Sequence, residues 1–392
     1  MPEQFPKARI ELEDLAIHEG ATVLLRRALA MLAPGGLLEV HADSPNFVEA
    51  LAAWCRKEGH RYLGSNGSRS YRMERGAGPA SLMVTGGQVA ETADPHWGLA
   101  PRGAQIEQGG PQFAFTLCRK REVWAQELTS IYKQGVANQW SAARDIPWNE
   151  LPILSPEVEA AVSQIMTFLT ENEFAALYVP ARFIPRIHPH YREVVEVLAV
   201  QIVDEARHAE AFTRRAEAGG IGLGTSAVSG QLSLQTLLEE PDFTTAAFLL
   251  CVMGEGTFLT LLKFVEDHAP DPATAVLARL AHRDEARHVA FGMEHLRYVL
   301  EREPERRSSL AAAVERRSRM LASVSGLSPY VSDALTILAG GGISPQEVRA
   351  GAERVSALHR EMDNARRERL QSLGFDPDQA TSLSAYHTKN FM

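Results

Sequence analysis

Cysteine is scarce. The 392 residues hold three (Cys55, Cys118, Cys251), and no two of them form a C-x-x-C pair. That excludes a disulfide framework and a rubredoxin-type iron centre. Basic blocks are missing as well, and a net charge of −9 argues against nucleic acid as the main partner. Residues Met1 to Leu12 contain no apolar signal core, so a cytoplasmic location is expected. Only Phe243 to Val265 is long and apolar enough to suggest a membrane span. Gly254-Glu255-Gly256 sits at its centre, and a glutamate there fits a buried polar site better than a bilayer. With 45% hydrophobic and 23% charged residues, the composition is that of an ordinary soluble protein long enough for two or three domains.

What the chain does have is a pentapeptide that occurs twice, Asp204-Glu205-Ala206-Arg207-His208 and Asp284-Glu285-Ala286-Arg287-His288. Each copy contains a Glu-x-x-His step. On a helix that step leaves the two side chains about 60° apart on one face, able to bind the same metal ion. Upstream of the copies, Glu173 and Glu255 each interrupt an apolar helical stretch, 32 and 30 residues before their partners. Those separations suit a helix, a reversal and a return to the same level. Val194, Leu198, Gln201, Glu205, His208 and Phe212 form a single inward stripe at alternating steps of four and three. Phe248, Val252, Glu255, Leu259 and Leu262 form another, and Leu169, Glu173 and Ala176 a weaker third. A buried carboxylate stays protonated or finds a cation. Four carboxylates and two divalent ions make a neutral unit, the inward-facing set of a dinuclear carboxylate bundle.

These residues resemble those of the ferritin-like diiron-carboxylate proteins. The doubled Asp-Glu-x-Arg-His form is most similar to the hydroxylase subunits of bacterial multicomponent monooxygenases and their oxygenase relatives. The resemblance covers about residues 120–300. It implies Glu173, Glu205, His208, Glu255, Glu285 and His288 as ligands of two iron ions, with a Mn/Fe pair as the variant. It also implies that Asp204 and Asp284 partner the imidazoles while Arg207 and Arg287 hold those aspartates. A ligating histidine commonly donates its other N–H to a carboxylate, which fixes its tautomer. His282, three residues before Glu285, is either a third histidine ligand or a hydrogen-bonding residue. Tyr178, five residues past Glu173, is a candidate radical site or a core tyrosine.

The first 75 residues read as a small α/β unit of order βαβαββ. Strands are expected at Arg9 to Glu13, Leu37 to Ala42, Arg61 to Leu63 and Tyr71 to Glu74. Helices are expected at Ala21 to Leu32 and from an Asp43 or Ser44 cap to Lys57. Leu12, Leu15, Pro34-Gly35, Leu38-x-Val40, Asp43-Ser44-Pro45 and Gly59-His60 resemble the TusA-like sulfur-carrier domain. That family carries sulfur on a Cys-Pro pair, and Ile17 and His18 stand at the corresponding positions. Without a thiolate there is no persulfide, and Cys55 lies among apolar residues. The expectation is a docking module.

Residues 76–112, rich in Gly, Ala and Pro, read as a linker or extended arm. Residues 113–300 read as the four-helix bundle, and Gly219 to Gly224 as a flexible connection inside it. Residues 301–392 read as a helical extension with helices at Arg302 to Ser323, Val331 to Leu338 and Pro345 to Leu373. Arg306, Arg307, Arg316, Arg317 and Arg319 read as a solvated face. The fold expected is therefore a small two-layer α/β domain followed by an all-α ferritin-like bundle. Its expected function is dioxygen activation at a non-haem diiron centre, oxidising a small organic substrate by hydroxylation, N-oxygenation or desaturation. The expected partners are that substrate, dioxygen, an electron-donor protein or reductant, and a second copy of the chain. Two other readings are iron handling or peroxide defence of the ferritin or rubrerythrin type, and a metal-stabilised structural adaptor.

Overall fold

The computed structural model describes residues 7–77, 81–83, 87–107, 109–322 and 327–388. The chain forms two compact units, Met1–Gly86 with Gly103–Gly110, and Gly87–Arg102 with Pro111–Met392.

In the first unit, β1 (Lys7–Glu11), α1 (Ala21–Ala30), β2 (Leu37–His41), α2 (Phe47–Lys57), β3 (Arg61–Ser65) and β4 (Ser70–Glu74) follow in the order βαβαββ. The sheet order is β1-β2-β4-β3, with β1 parallel to β2 and the other pairings antiparallel. Leu38 and Val40 alternate inward from β2 and meet Leu25, Leu29, Leu51 and Cys55 from the helices. The start of α2 differs from expectation. Its N-cap is Asn46, in the left-handed region at φ 57°, rather than Asp43 or Ser44. Asparagine tolerates that conformation, so the turn beginning at Ser44-Pro45 runs further before the helix starts.

The segment expected as a linker divides between the units. Ser81–Met83 (β5) pairs antiparallel with Gln105–Glu107 (β6) in the first unit. Gly87–Arg102 belongs to the second. There the Ala90 N–H donates to His190 Nε2 at 2.8 Å, the Tyr191 hydroxyl donates to Glu91 O at 3.3 Å, and Arg102 pairs with Glu193. Backbone groups that find partners of this kind are packed structure, not tether. Residues 78–80, 84–86 and 108 of the expected linker lie outside the described residues.

The second unit is helical: α3 (Lys120–Val123), α4 (Leu128–Ala137), α5 (Pro156–Phe183), α6 (Arg192–Ala218), α7 (Val228–Leu238), α8 (Phe243–Asp267) and α9 (Pro272–Arg302). Sequence signals set the starts of α5 and α9. Ser155 Oγ accepts from the Val158 N–H and Asp271 from the Thr274 N–H, each followed by proline in the first turn. Helices α5 and α6 pack against each other, as do α8 and α9, and α6 meets α9 to close the bundle. Buried Arg215 of α6 bonds Glu159 of α5 and Asp271 at the start of α9, tying three helices through paired charge. Helix α8 is long and apolar enough to cross a membrane, but 83% of its apolar 18-residue stretch is buried inside the protein. It is not regular: residues Phe248–Glu255 wind as a π-helix.

Two expectations fail here. The Gly219 to Gly224 stretch is pinned along α5, with Gly224 N donating to Thr167 Oγ1 and Thr225 N to Gln164 Oε1, both at 2.8 Å. A Cβ at Gly219 would lie 2.3 Å from the Glu159 side chain, so the glycine serves close approach. Arg317 is not part of a solvated face; it is buried and donates to Thr236 Oγ1 at 2.8 Å and Ser233 Oγ at 2.7 Å. It lies on α10 (Arg306–Met320), followed by α11 (Pro329–Gly340), α12 (Pro345–Ser372) and α13 (Pro377–Thr388). The last of these helices was not foreseen, and Ser323, the expected end of α10, lies outside the described residues. Helix α11 packs on α5, and α12 packs on both α11 and α8.

Candidate metal centre

Helices α5, α6, α8 and α9 each turn one glutamate into the middle of the bundle, and α6 and α9 each add a histidine. Glu173, Glu205, His208 and Glu285 form one group whose donor atoms all lie within 4.8 Å of one another. Glu205, Glu255, Glu285 and His288 form a second. Glu205 and Glu285 belong to both, so each can bridge two ions while Glu173 and Glu255 each serve one. All six residues are buried.

The two imidazoles are held alike. His208 turns Nδ1 inward, 3.2 Å from Glu205 Oε2, 3.3 Å from Glu285 Oε1 and 3.5 Å from Glu173 Oε2. His288 Nδ1 lies 3.0 Å from Glu205 Oε1 and 3.3 Å from Glu285 Oε2. The outer nitrogens cross over. His208 on α6 sets Nε2 3.2 Å from Asp284 on α9, and His288 on α9 sets Nε2 3.3 Å from Asp204 on α6. Arg207 and Arg287 each bond both aspartates. Two residues from the segment after α4 complete the ring. Gln139 Nε2 donates to Asp204 at 2.8 Å and Trp140 Nε1 donates to Asp284 at 2.6 Å. The Trp140 ring also stacks on His208, and the Arg207 guanidinium lies 4.7 Å from the ring centroid. On the α8 side, Gln201 Nε2 donates to Glu255 Oε1 at 2.9 Å.

Burial, then the charge of Glu205, pushes the Glu173 carboxyl well above the usual carboxylate range. Burial, then Glu285, does the same to Glu255. Burial disfavours charge on both imidazoles, but for His208 the hydrogen bonds to Asp284 and the glutamates outweigh it. For His288 the charges of Glu205 and Glu285 do, and both rings are raised well above the ordinary value. Burial and neighbouring charge thus favour protons at these groups, and metal entry would displace them.

The residues fit a pair of metal ions by a second observation. Glu255 Oε2 is buried without a hydrogen-bond partner, and Glu205 Oε1, also buried, has only an ion-pair contact of 3.0 Å with the inward Nδ1 of His288, itself a candidate ligand. An unsatisfied buried acceptor costs about 1–3 kcal/mol, so it persists where something else is to be held. Carboxylate oxygen with imidazole nitrogen suits iron or manganese. Next to the cluster, Asn172, Glu173, Ala176, Leu250, Glu255, Phe258 and Glu285 line a void of about 20 Å³, room for a guest the size of water.

Two candidates stand elsewhere. His282 is half-buried in neither group and lines a pocket of about 420 Å³ with Leu259, Lys263, His268, Arg354 and Glu361. Its six-residue step from His288 turns it about 120° around the helix, away from the ions. Tyr178 is 57% exposed on α5, which removes it from the core. Gln139 and Trp140 were missed as site residues. Gln201 was visible on the inward stripe, but its bond to Glu255 was not.

No protein-family model matches the chain, and no curated protein does. Among solved structures it is similar to point mutants of an R2-like ligand-binding oxidase, one with aerobically reconstituted Mn/Fe cofactor and one with aerobically reconstituted Fe/Fe cofactor. Each is 18% identical over 65% of this chain and 94% of that chain, at TM-score 0.47. It is also similar to a protein from Synechococcus with aldehyde deformylating oxidase activity, 16% identical over 59% of this chain and 98% of that one, at TM-score 0.44. Likeness at this level carries no inference about activity.

Proposed function

We propose that the protein is a dimetal oxidase that activates dioxygen to oxidise a small organic substrate by hydroxylation, N-oxygenation or desaturation. The observation that carries this is the pair of buried donor groups sharing Glu205 and Glu285, with Glu255 Oε2 left without a hydrogen-bond partner. An Fe/Fe or Mn/Fe pair would be held by Glu173, Glu205, His208, Glu255, Glu285 and His288. When bound, the metals supply the electrons and Lewis acidity for reducing dioxygen. The chain's own residues do the rest. Glu205 and Glu285 fix the spacing of the ions, and the Asp284 and Asp204 carboxylates hold the imidazole Nε2 protons so that Nδ1 is free to ligate. Gln201 orients Glu255, while Leu250 and Phe258 line the void beside it with apolar surface.

The reading extends to the rest of the chain: a cytoplasmic homodimer supplied by a reductant, with a TusA-like docking domain over residues 1–75 and a bundle with its helical extension after it. In that domain Ile17 and His18 form a short turn before α1, and burial pushes the Cys55 thiol up to about 11. Neither position offers a reactive thiolate.

The test is anaerobic loading of the metal-free chain with ferrous ion, then exposure to dioxygen with and without candidate substrates. Two ions per chain, and oxygen uptake accelerated by a substrate recovered as oxidised product, is the expected result. Uptake indifferent to every organic compound but accelerated by hydrogen peroxide would replace this reading with peroxide defence.

A further inference from the structure

We infer that helix α12 holds open the π-helical turn of α8 that brings Glu255 to the metal cluster, with Arg369 as the positioning residue. The inference rests on the dimetal reading above. In an α-helix the Gly256 N–H would bond the carbonyl of Val252. Here it reaches one residue further, to Cys251 O. Val252 O is the acceptor that α-helical winding would have used, and Arg369 Nε occupies it at 3.1 Å. The guanidinium fits only because residue 256 is glycine: a Cβ there would lie 2.5 Å from Arg369 Nε and 2.7 Å from Cζ. One turn earlier on α12, Arg366 donates to Thr257 Oγ1 at 3.4 Å, and Thr257 Oγ1 donates to Met253 O at 2.6 Å. The bonds from α12 therefore converge on the residues flanking Glu255.

The consequence for the site follows from helix geometry. A π turn carries one residue more than an α turn, so closing it would rotate Glu255 by about 100° relative to the residues before the turn. π turns are rare and poorly stabilised by their own backbone, which makes an outside hold meaningful. A guanidinium is a costly filler, since burial pushes Arg369 down to about 10, so its donor function explains its presence better than its volume. Glu255 belongs to one donor group only. Loss of Arg369 should then impair the position made by Glu205, Glu255, Glu285 and His288, and spare the one that contains Glu173 and His208.

The experiment compares the full-length wild-type chain with Arg369→Met, which keeps most of the side-chain volume and removes the donor. Metal-free protein is titrated anaerobically with Mn(II), following heat and electron paramagnetic resonance. Two ions per chain in the wild type is the outcome required by the dimetal reading; fewer than two refutes that reading before the variant is considered. In R369M one ion should bind as in wild type and the other at least tenfold more weakly, with loss of the spin-coupled signal. Adding R369M to Glu255→Ala should change metal binding no further. Two ions at wild-type affinity, or an equal weakening of both, overturns the inference, because a purely structural residue would not separate the two positions. If R369M does not fold, Gly256→Ala, whose methyl would displace the guanidinium, is read by the same criteria. Failure of both to fold also overturns it.

Discussion

The crossed pairing of histidines and aspartates leads to a prediction that same-helix thinking would get backwards. Asp284 lies on α9, yet it holds the Nε2 of His208 on α6 at 3.2 Å. His208 belongs to the donor group of Glu173, not to that of Glu255. Replacing Asp284 by Asn should therefore weaken the metal position on the Glu173 side. Replacing Asp204 by Asn should weaken the Glu255 side, through His288. Loss of a carboxylate behind a ligating imidazole costs about 10- to 100-fold in metal affinity, about 1.4–2.8 kcal/mol. Each aspartate also takes bonds from Arg207 and Arg287. A general loss of stability is common to both variants and cancels in their comparison.

The two positions are told apart by double-mutant cycles in an anaerobic Mn(II) titration. Glu173→Ala already abolishes one position, so adding D284N should cost the remaining ion little. On a Glu255→Ala background D284N should weaken the surviving ion by the full 10- to 100-fold, about 2 kcal/mol. D204N should show the mirror pattern. If D284N instead couples to the Glu255 side, the crossed arrangement is wrong; if it affects both sides equally, the aspartates act as one electrostatic pool.

Three further outcomes are expected. His295 is fully buried, with Nδ1 2.8 Å from Trp124 O, and burial lowers it from 6.5 to about 4, so the folded state holds it neutral. Its contribution is complete above its unfolded value and is lost as pH falls from about 6.5 to about 4, since the unfolded chain binds the proton first. Between pH 7 and pH 5 the wild type should lose about 2 kcal/mol more than His295→Gln in urea unfolding, and parallel pH profiles would refute this. At Gly292 on α9 a Cβ would stand 2.4 Å from Cys251 Cβ, so α8 and α9 approach closely there. Gly292→Ala should cost about 1–3 kcal/mol by overpacking, and an unchanged melting temperature would contradict the approach. Treatment of the first unit's Cys55 with a persulfide donor should leave no added sulfur by intact mass, because the thiol is buried; a stable adduct would make the domain a carrier.

The six inward residues were legible because helical periodicity is carried by the chain itself. A Glu-x-x-His step and an apolar stripe need only the next turn of the same helix to be recognised. What surrounds them was not legible, for a physical reason in each case. Gln139 and Trp140 reach Asp204 and Asp284 from 65 and 144 residues away, across a tertiary contact that no local pattern encodes. The π turn at Phe248–Glu255 adds one residue to a winding and changes no composition, so the stripe through Val252 and Glu255 reads as ordinary α-helix. Arg317 was misjudged because a run of arginines looks solvated until the hydroxyls of Ser233 and Thr236 appear beside it. In the first unit the strand and helix order was readable from alternation and turn residues, while the Asn46 cap was hidden behind the stronger Asp43-Ser44-Pro45 signal.

Charge explains why the outer ring is built as it is. Asp204 and Asp284 are compensated by Arg207 and Arg287, each of which bonds both aspartates, so the ring as a whole adds no net charge to the interior. The demand for cations is then set by the four inward glutamates alone. Without metal that demand is met by protons: Glu173 and Glu255 are pushed toward their neutral forms, and His208 and His288 toward their charged ones. Two divalent ions would replace those protons without leaving the bundle charged. An ion pair on each imidazole, rather than a carbonyl acceptor, is what lets the same histidine accept an extra proton in one state and ligate in the other. The ring therefore does two things with one set of bonds: it aims Nδ1 at the metal position, and it keeps the buried cluster tolerable while that position is being filled.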